Sequence, residues 1–352
     1  MTSHLSFTCA AIFLVAAALV EAAPSPAAKS APALARSTHA GGLLLVANKT
    51  DRTLSVIEPR NGNQIAVVPE GGITGHEVIA SPDGTRAFVP IYGDSGVGKP
   101  GTDGSVIDVI DLETYRVIHT FDFGRGVRPH CILFGPADGL LYVTTELDQA
   151  ITIIDPATLK IVGTVPTGQP QSHMLAISQD GKRGYTANVG PGTVSVLDLV
   201  ARKTIAVIPV VPQLQRISLS PDGRWAFTSD TVKPRLAVID TATNKLDHWI
   251  DMPGTGYGTA STPDGKYLLV ALPAAKGLAV IDLATLQVVK TISLPPQPQE
   301  VLVRPDGKVA YVSCDYSHQV AAIDLATWNV TLIEAGHGAD GLAWASPVST
   351  SH

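Results

Sequence analysis

Three histidines, His76, His130 and His173, stand six residues ahead of the Pro slot (Pro82, Pro136 and Gln179) of three related turns, 81-SPDG-84, 135-GPADG-139 and 178-SQDG-181. Equal placement before equal turns puts one residue type at one structural position. Neutral imidazole is the commonest protein metal ligand, and three of them leave a coordination position open for water or substrate. A divalent transition metal is therefore the cofactor this trio predicts, and it would polarise a carbonyl or activate water. Glu77 follows His76 directly, while Arg216 and Glu300 occupy the matching position before two later turns. Glu146, Asn188, Asp230 and Asp315 close the apolar segments that follow the turns. Glu146, as a carboxylate able to move a proton, and Arg216 are the catalytic candidates. Without a metal, the histidines and Arg216 would hold an anion by charge-assisted hydrogen bonds.

A second candidate is 93-GDSGVGKP-100, which matches G-x-x-x-x-G-K of a phosphate-binding loop for seven residues. Such a loop needs Ser or Thr next, and a helix starting near the Lys, so that backbone N–H groups face the phosphates. Here Pro100 follows Lys99, and then comes Gly-Thr-Asp-Gly and a strand-like run. No nucleotide is expected. Other catalytic signatures are missing: G-x-S-x-G does not occur, and 76-HEVIA-80 lacks the second His of H-E-x-x-H. Cys131 lies inside an apolar run, a poor place for a nucleophile.

What must position these residues is a repeat. An apolar-apolar-acidic tripeptide ends at Glu58, Asp111, Asp155, Asp198, Asp240, Asp282 and Asp324, with spacings of 44, 43, 42, 42 and 42 after Asp111. The first spacing is 53, and the extra residues fall on the glycine-rich loop. The x-Pro-Asp-Gly series runs alongside, at 81-SPDG-84, 220-SPDG-223, 262-TPDG-265 and 304-RPDG-307 among others. Pro presets the first turn angle and Asp-Gly supplies the reversal, so each is a hairpin turn. Between turns lie short Val/Ile/Thr/Tyr-rich segments such as 140-LLYVTTE-146 and 150-AITIID-155. Four such strands about every 42 residues describe one blade of an all-β propeller. Residues 43–69 supply three strands, and 339-ADGLAWASP-347 supplies one. Joined, they make a seventh blade that closes the ring and removes open sheet edges.

In this architecture the six-residue offset marks the start of each innermost strand, at the top of the central channel. The slot residues are His76, His130, His173, Gln215, Tyr257, Gln299 and, in the closing blade, Gly341. The glycine-rich insertion joins a second strand to a third and should share the face of His76. The acidic series recurs in every blade and so belongs to the scaffold, fixing turns through bonds to backbone N–H groups. A histidine at a strand start also satisfies backbone carbonyls without any chemistry.

The segments 142-YVTT-145, 185-YTAN-188 and 311-YVSC-314, each leading into a V/I-x-V/I-I/L-D run, resemble the YVTN (YncE-like) repeat family of seven-bladed propellers. The likeness covers roughly residues 43 to 347. It implies an exported binding or scaffold protein, in a fold shared with lactonases of the 6-phosphogluconolactonase type, haem d1-binding proteins, amine dehydrogenase heavy chains and the nitrous oxide reductase propeller. A fold does not fix a function.

Composition narrows the setting. The chain is 45% hydrophobic and 16% charged, with 32 Gly and 26 Pro in 352 residues, which suits many short strands. Residues Cys9 to Val20 form an apolar run followed by Glu21-Ala22-Ala23-Pro24, the pattern of a secretory leader over 1–22. It is shorter than the ~20 residues a membrane span needs. An Ala/Pro-rich linker follows over 23–41, then the propeller over 42–347 and a tail over 348–352. The expected location is periplasmic or secreted. Loss of the leader removes one acid and no base, leaving 25 basic and 30 acidic residues, so nucleic acid is not an expected partner. With no C-x-x-C, covalent haem is not expected. Cys131 and Cys314 fall in blades on opposite sides of the ring, too far apart for a disulfide. Two readings result. One is a monomeric propeller binding a small molecule or protein partner on its top face, with His76, Glu77, His130, Glu146, His173, Asn188, Arg216, Asp230, Tyr257 and Glu300 as ligand contacts. The other is an enzyme, lactonase-like or metal-dependent, using the same histidines.

Overall fold

A computed structural model describes residues 41–347. The expected leader, all but the last residue of the linker, and the tail lie outside the described residues. Seven four-stranded antiparallel sheets follow one another along the chain. Blade 1 spans 79–122, blade 2 129–166, blade 3 172–209, blade 4 214–251, blade 5 259–293 and blade 6 298–334. Blade 7 pairs Ala339–Ala345 with Leu43–Asn48, and Leu45 faces Ala343 across that seam. The expected seven-bladed propeller, and the closure by both chain ends, are what the chain forms.

Burial follows position in the blade. Second and third strands such as Arg183–Asn188 and Thr193–Asp198 are buried nearly throughout, because neighbouring blades cover both faces. Outermost strands such as Lys160–Pro166 bury little and expose Ile161 and Val162 at the perimeter. Turn chemistry matches the repeats. Ser81 donates to the Asp83 carboxylate at 2.5 Å and accepts from Arg86 N–H at 2.9 Å, and Ser178 and Ser220 do the same in their blades. Asp155, Asp240, Asp282 and Asp324 each accept backbone N–H groups two and three residues ahead. These carboxylates hold turns on the bottom face, away from the channel mouth.

One local device sets the site. At the start of the first strand, the register slips. In blade 2, Pro129 pairs with Thr145 but Ile132 pairs with Val143, so His130 and Cys131 share one facing position. Blades 3, 4, 6 and 7 slip at the same place. Such a bulge re-aims side chains at the rim of a sheet. Alignment on these slips also corrects the closing blade. Ala339 pairs with Asn48 and Leu342 with Val46, which makes Asp340, not Gly341, the seventh slot residue. Pro347 lies one position further along its strand than the Pro slots of the other blades, so a count from it overshoots. Gly341 is needed for another reason: its N–H bonds His76 O at 2.9 Å, and a Cβ there would collide with that carbonyl.

Candidate functional site

The three histidines meet. The rings of His130 and His173 lie 3.6 Å apart between centroids, tilted by 36°, and His76 approaches His130 edge-on at 5.4 Å. Tyr92, at the end of the second strand of blade 1, packs against all three, at 5.1, 5.1 and 5.9 Å. His130 is 2% exposed and His173 5%, while His76 is partly open. Among the described residues, the Nδ1 atoms of His130 and His173 have no hydrogen-bond partner. Burial pushes both imidazoles far below their ordinary pKa, aided by the neighbouring rings for His130 and by Arg216 for His173. Burial likewise lowers His76 to about 4, against an opposing pull from Asp340. All three are neutral at pH 7.

Their arrangement bears on the predicted metal. Among the described residues, no group of three or more His, Cys, Asp or Glu is disposed to hold a metal ion. The three-histidine chelate drawn from the sequence is thus not the geometry found.

Arg216 stands at the centre of a second cluster. Its Nη1 lies 2.8 Å from Glu77 Oε1 without the alignment of a hydrogen bond, and 3.6 Å from Glu300 Oε2. Its Nη2 donates to Asp340 Oδ1 at 3.3 Å. Asp340 also meets Lys49 Nζ at 3.3 Å, and Lys49 reaches Asp315 at 3.2 Å. Burial opposes the Asp340 carboxylate, but Lys49 and Arg216 outweigh it and hold its pKa below the ordinary value. Glu77 is pushed well up by burial, with the pull of Arg216 too weak to restore it. Tyr257 lies under the guanidinium at 5.5 Å and donates to Gln215 at 2.7 Å. Arg216 thus faces three carboxylates, and its Nη1 makes no hydrogen bond among the described residues.

The glycine-rich loop, residues 93–103, lies on the face of His76, as its placement between second and third strands requires. His76 shares a cavity of about 450 Å3 with Gly93, Asp94, Ser95 and Gly96, walled by Lys49 and Arg52. On the other side of the loop, Gly98, Lys99 and Pro100 border a cavity of about 350 Å3 with Arg128 and Glu146. Lys99 sits in a turn, and the chain re-enters a strand at Asp103 with no helix between. The helix that a phosphate loop requires is not there.

The remaining predicted residues divide. Glu146 joins the histidine cluster indirectly: it accepts from the Tyr92 hydroxyl and from Gly98 N–H. Glu77, Glu300 and Tyr257 surround Arg216. Asn188 instead bridges strands within blade 3, donating to Thr193 and Ser195 and accepting from Ser172. Asp230 caps its own turn through Val232 and Lys233 N–H and pairs with Arg235. Neither reaches the cluster. Cys131 and Cys314 are both free and buried, and burial raises both thiols. Sequence reasoning missed Lys49, Tyr92, Arg128 and Asp340. Only Asp340 carried a usable signal, since it occupies a slot.

No protein-family model matches this chain, and no curated protein does. Among solved structures, hydrazine synthase of Kuenenia stuttgartiensis superposes with a TM-score of 0.68 at 20% identity, covering 82% of this chain and 94% of that one. At that identity the likeness carries the fold alone. Among the described residues, no helix is long and apolar enough to cross a membrane.

Proposed function

We propose that this chain is an exported propeller of the YVTN type that binds a small molecule on its top face, beside the channel mouth. The carrying observation is the pair of buried imidazoles whose Nδ1 atoms have no partner. A buried polar atom left unpaired costs roughly 1–3 kcal/mol, and native proteins rarely leave two side by side. A ligand with hydrogen-bonding groups would remove that cost. The cavity of about 450 Å3 that ends on His76 gives an approach of small-molecule size. Glu146 is bonded to Tyr92 and Gly98, so it is not a free base, whereas the neutral imidazoles are the groups that a hydrolase would use here.

Thermal shift and calorimetry on the mature protein test the reading, with sugars, hydroxy acids, lactones, amino acids and zinc, copper or manganese salts as probes. At least one probe should stabilise the wild type and lose its effect in His130→Phe and His173→Phe. A metal that binds through these rings would restore the chelate predicted from the sequence, and lactone turnover would restore the enzyme. A panel without effect on the wild type overturns the site. Export is tested separately by the amino terminus of the protein recovered from its host, which should begin near residue 23.

A further inference from the structure

We propose that residues 93–103 form a latched lid over the three imidazoles, with Arg128 as the latch and Tyr92 as the plug. This rests on the binding site proposed above and describes how that site is regulated. Tyr92 stands where the second strand of blade 1 gives way to the insertion, touches all three histidine rings and is 1% exposed. Tyr92 therefore covers the His130 and His173 rings on the side of the loop.

Three side-chain hydrogen bonds tie the loop to blade 2, and they come from two residues. Arg128 Nε donates to Asp103 Oδ1 at 2.6 Å, and its Nη2 donates to Lys99 O at 2.7 Å. Gly98 N–H donates to Glu146 Oε1 at 3.1 Å. Arg128 also faces Glu146 at 3.5 Å and lies over the Tyr92 ring at 5.7 Å, so latch and plug are one assembly. The Tyr92 hydroxyl completes it by donating to Glu146.

The loop has room and a hinge. Cavities of about 450 and 350 Å3 lie along its two sides, so it is not packed into blade material over its length. At its root, Gly93 has φ of 135°, which side-chain-bearing residues rarely adopt. Arg128 itself sits at φ of 51°, a left-handed conformation unfavourable for a non-glycine residue. Gln171, Gln213 and Gln297 share that conformation at the same place in blades 3, 4 and 6, so it belongs to the entry of the blade and stays when the loop is released.

Hydrogen–deuterium exchange over 93–103 and diethyl pyrocarbonate labelling of individual histidines test the lid in the full mature chain. Arg128→Gln removes the charge-assisted bonds, and the open population should rise about tenfold or more. Loop exchange and labelling of His130 and His173 should rise together, while exposed His119 keeps its rate. Asp103→Asn keeps the acceptor but takes the charge out of that bond, and should give about a threefold rise of the same kind. If Arg128→Gln does not fold, Asp103→Asn decides alone. Unchanged loop exchange, or faster loop exchange with His130 and His173 still unlabelled, overturns the lid. Neither readout uses a ligand, so the lid can fail while binding stands, and binding can fail with the lid intact.

Discussion

Arg216 and Asp340, 124 residues apart in the chain, meet at 3.3 Å at the channel mouth. The contact joins the first strand of blade 4 to the strand that closes the ring. Asp340 is also held by Lys49, and Glu300 accepts Leu342 N–H at 2.8 Å from the same strand. The closing strand is thus fastened by charge at its channel end as well as by backbone pairing along its length.

Asp340→Asn should therefore weaken the whole ring. It leaves Arg216 buried with less negative charge around it, and breaking one member of a buried ion network costs about 3–5 kcal/mol. Urea unfolding at pH 7 should show a clearly lower midpoint with an unchanged slope. Removing every residue after Asp340 should cost more, because it deletes the strand paired with Leu43–Asn48. A truncated protein as stable as the full chain would rule out this closure.

The fold was legible because a propeller repeats its turn chemistry: the acidic tripeptide reports the four-strand unit seven times, and the Pro-Asp-Gly type of turn reports it six times. The site was legible in part. His76, His130 and His173 occupy equivalent slots, and equivalent slots converge in a ring. Asn188 and Asp230 also end second strands, but their side chains bond within their own blades. Polarity at a strand end does not say which way the side chain turns. Tyr92 and Arg128 lie outside the slot series, and their roles depend on a loop found in one blade. Asp340 was missed by one position, because Pro347 does not occupy the turn slot that Pro82 and Pro221 do.

Lys99→Ala should be nearly silent. The loop uses the backbone of Lys99, whose carbonyl accepts from Arg128 and whose N–H bonds Gly96 O at 2.9 Å. The side chain only borders a cavity. Stability should change by less than about 0.5 kcal/mol, as for most surface substitutions. Calorimetry with ATP and GTP in the presence of magnesium should give no binding to either protein. Tight, magnesium-dependent binding lost in the variant would reinstate the phosphate loop.

Glu70→Gln should change the alkaline side of the stability profile. Glu70 Oε2 accepts Gly75 N–H at 2.7 Å, and Oε1 has no partner. Burial raises the carboxyl to about 7, with the Gly75 bond opposing. A folded pKa above the unfolded value means that its contribution is complete below about 4.5 and is lost as pH rises through 7. Gln keeps the acceptor and cannot ionise. Relative to wild type, the variant should gain on the order of 2 kcal/mol between pH 5 and pH 8. Parallel profiles for the two proteins would refute the assignment.

The histidines should act on the acid side, with the opposite sign. In the unfolded chain each imidazole takes up a proton near pH 6.5, whereas folded His76 does so only near 4, and burial holds His130 and His173 well below their ordinary value. The unfolded state therefore binds more protons as pH falls below 6.5, and the contribution of these residues is lost from that point downward. Glu70 and Glu77, both raised, gain stability over part of the same range, so the wild-type profile alone mixes the two effects. Comparison with His76→Gln separates them. Gln at this partly open position keeps hydrogen-bonding capacity and has no proton to bind. The difference in urea midpoint between variant and wild type should be constant above pH 7 and move in the variant's favour from pH 6.5 to 4.5. A difference that stays constant down to pH 4.5 would mean that folded His76 titrates as it does in the unfolded chain, and the neutral cluster at the channel mouth would lose its basis.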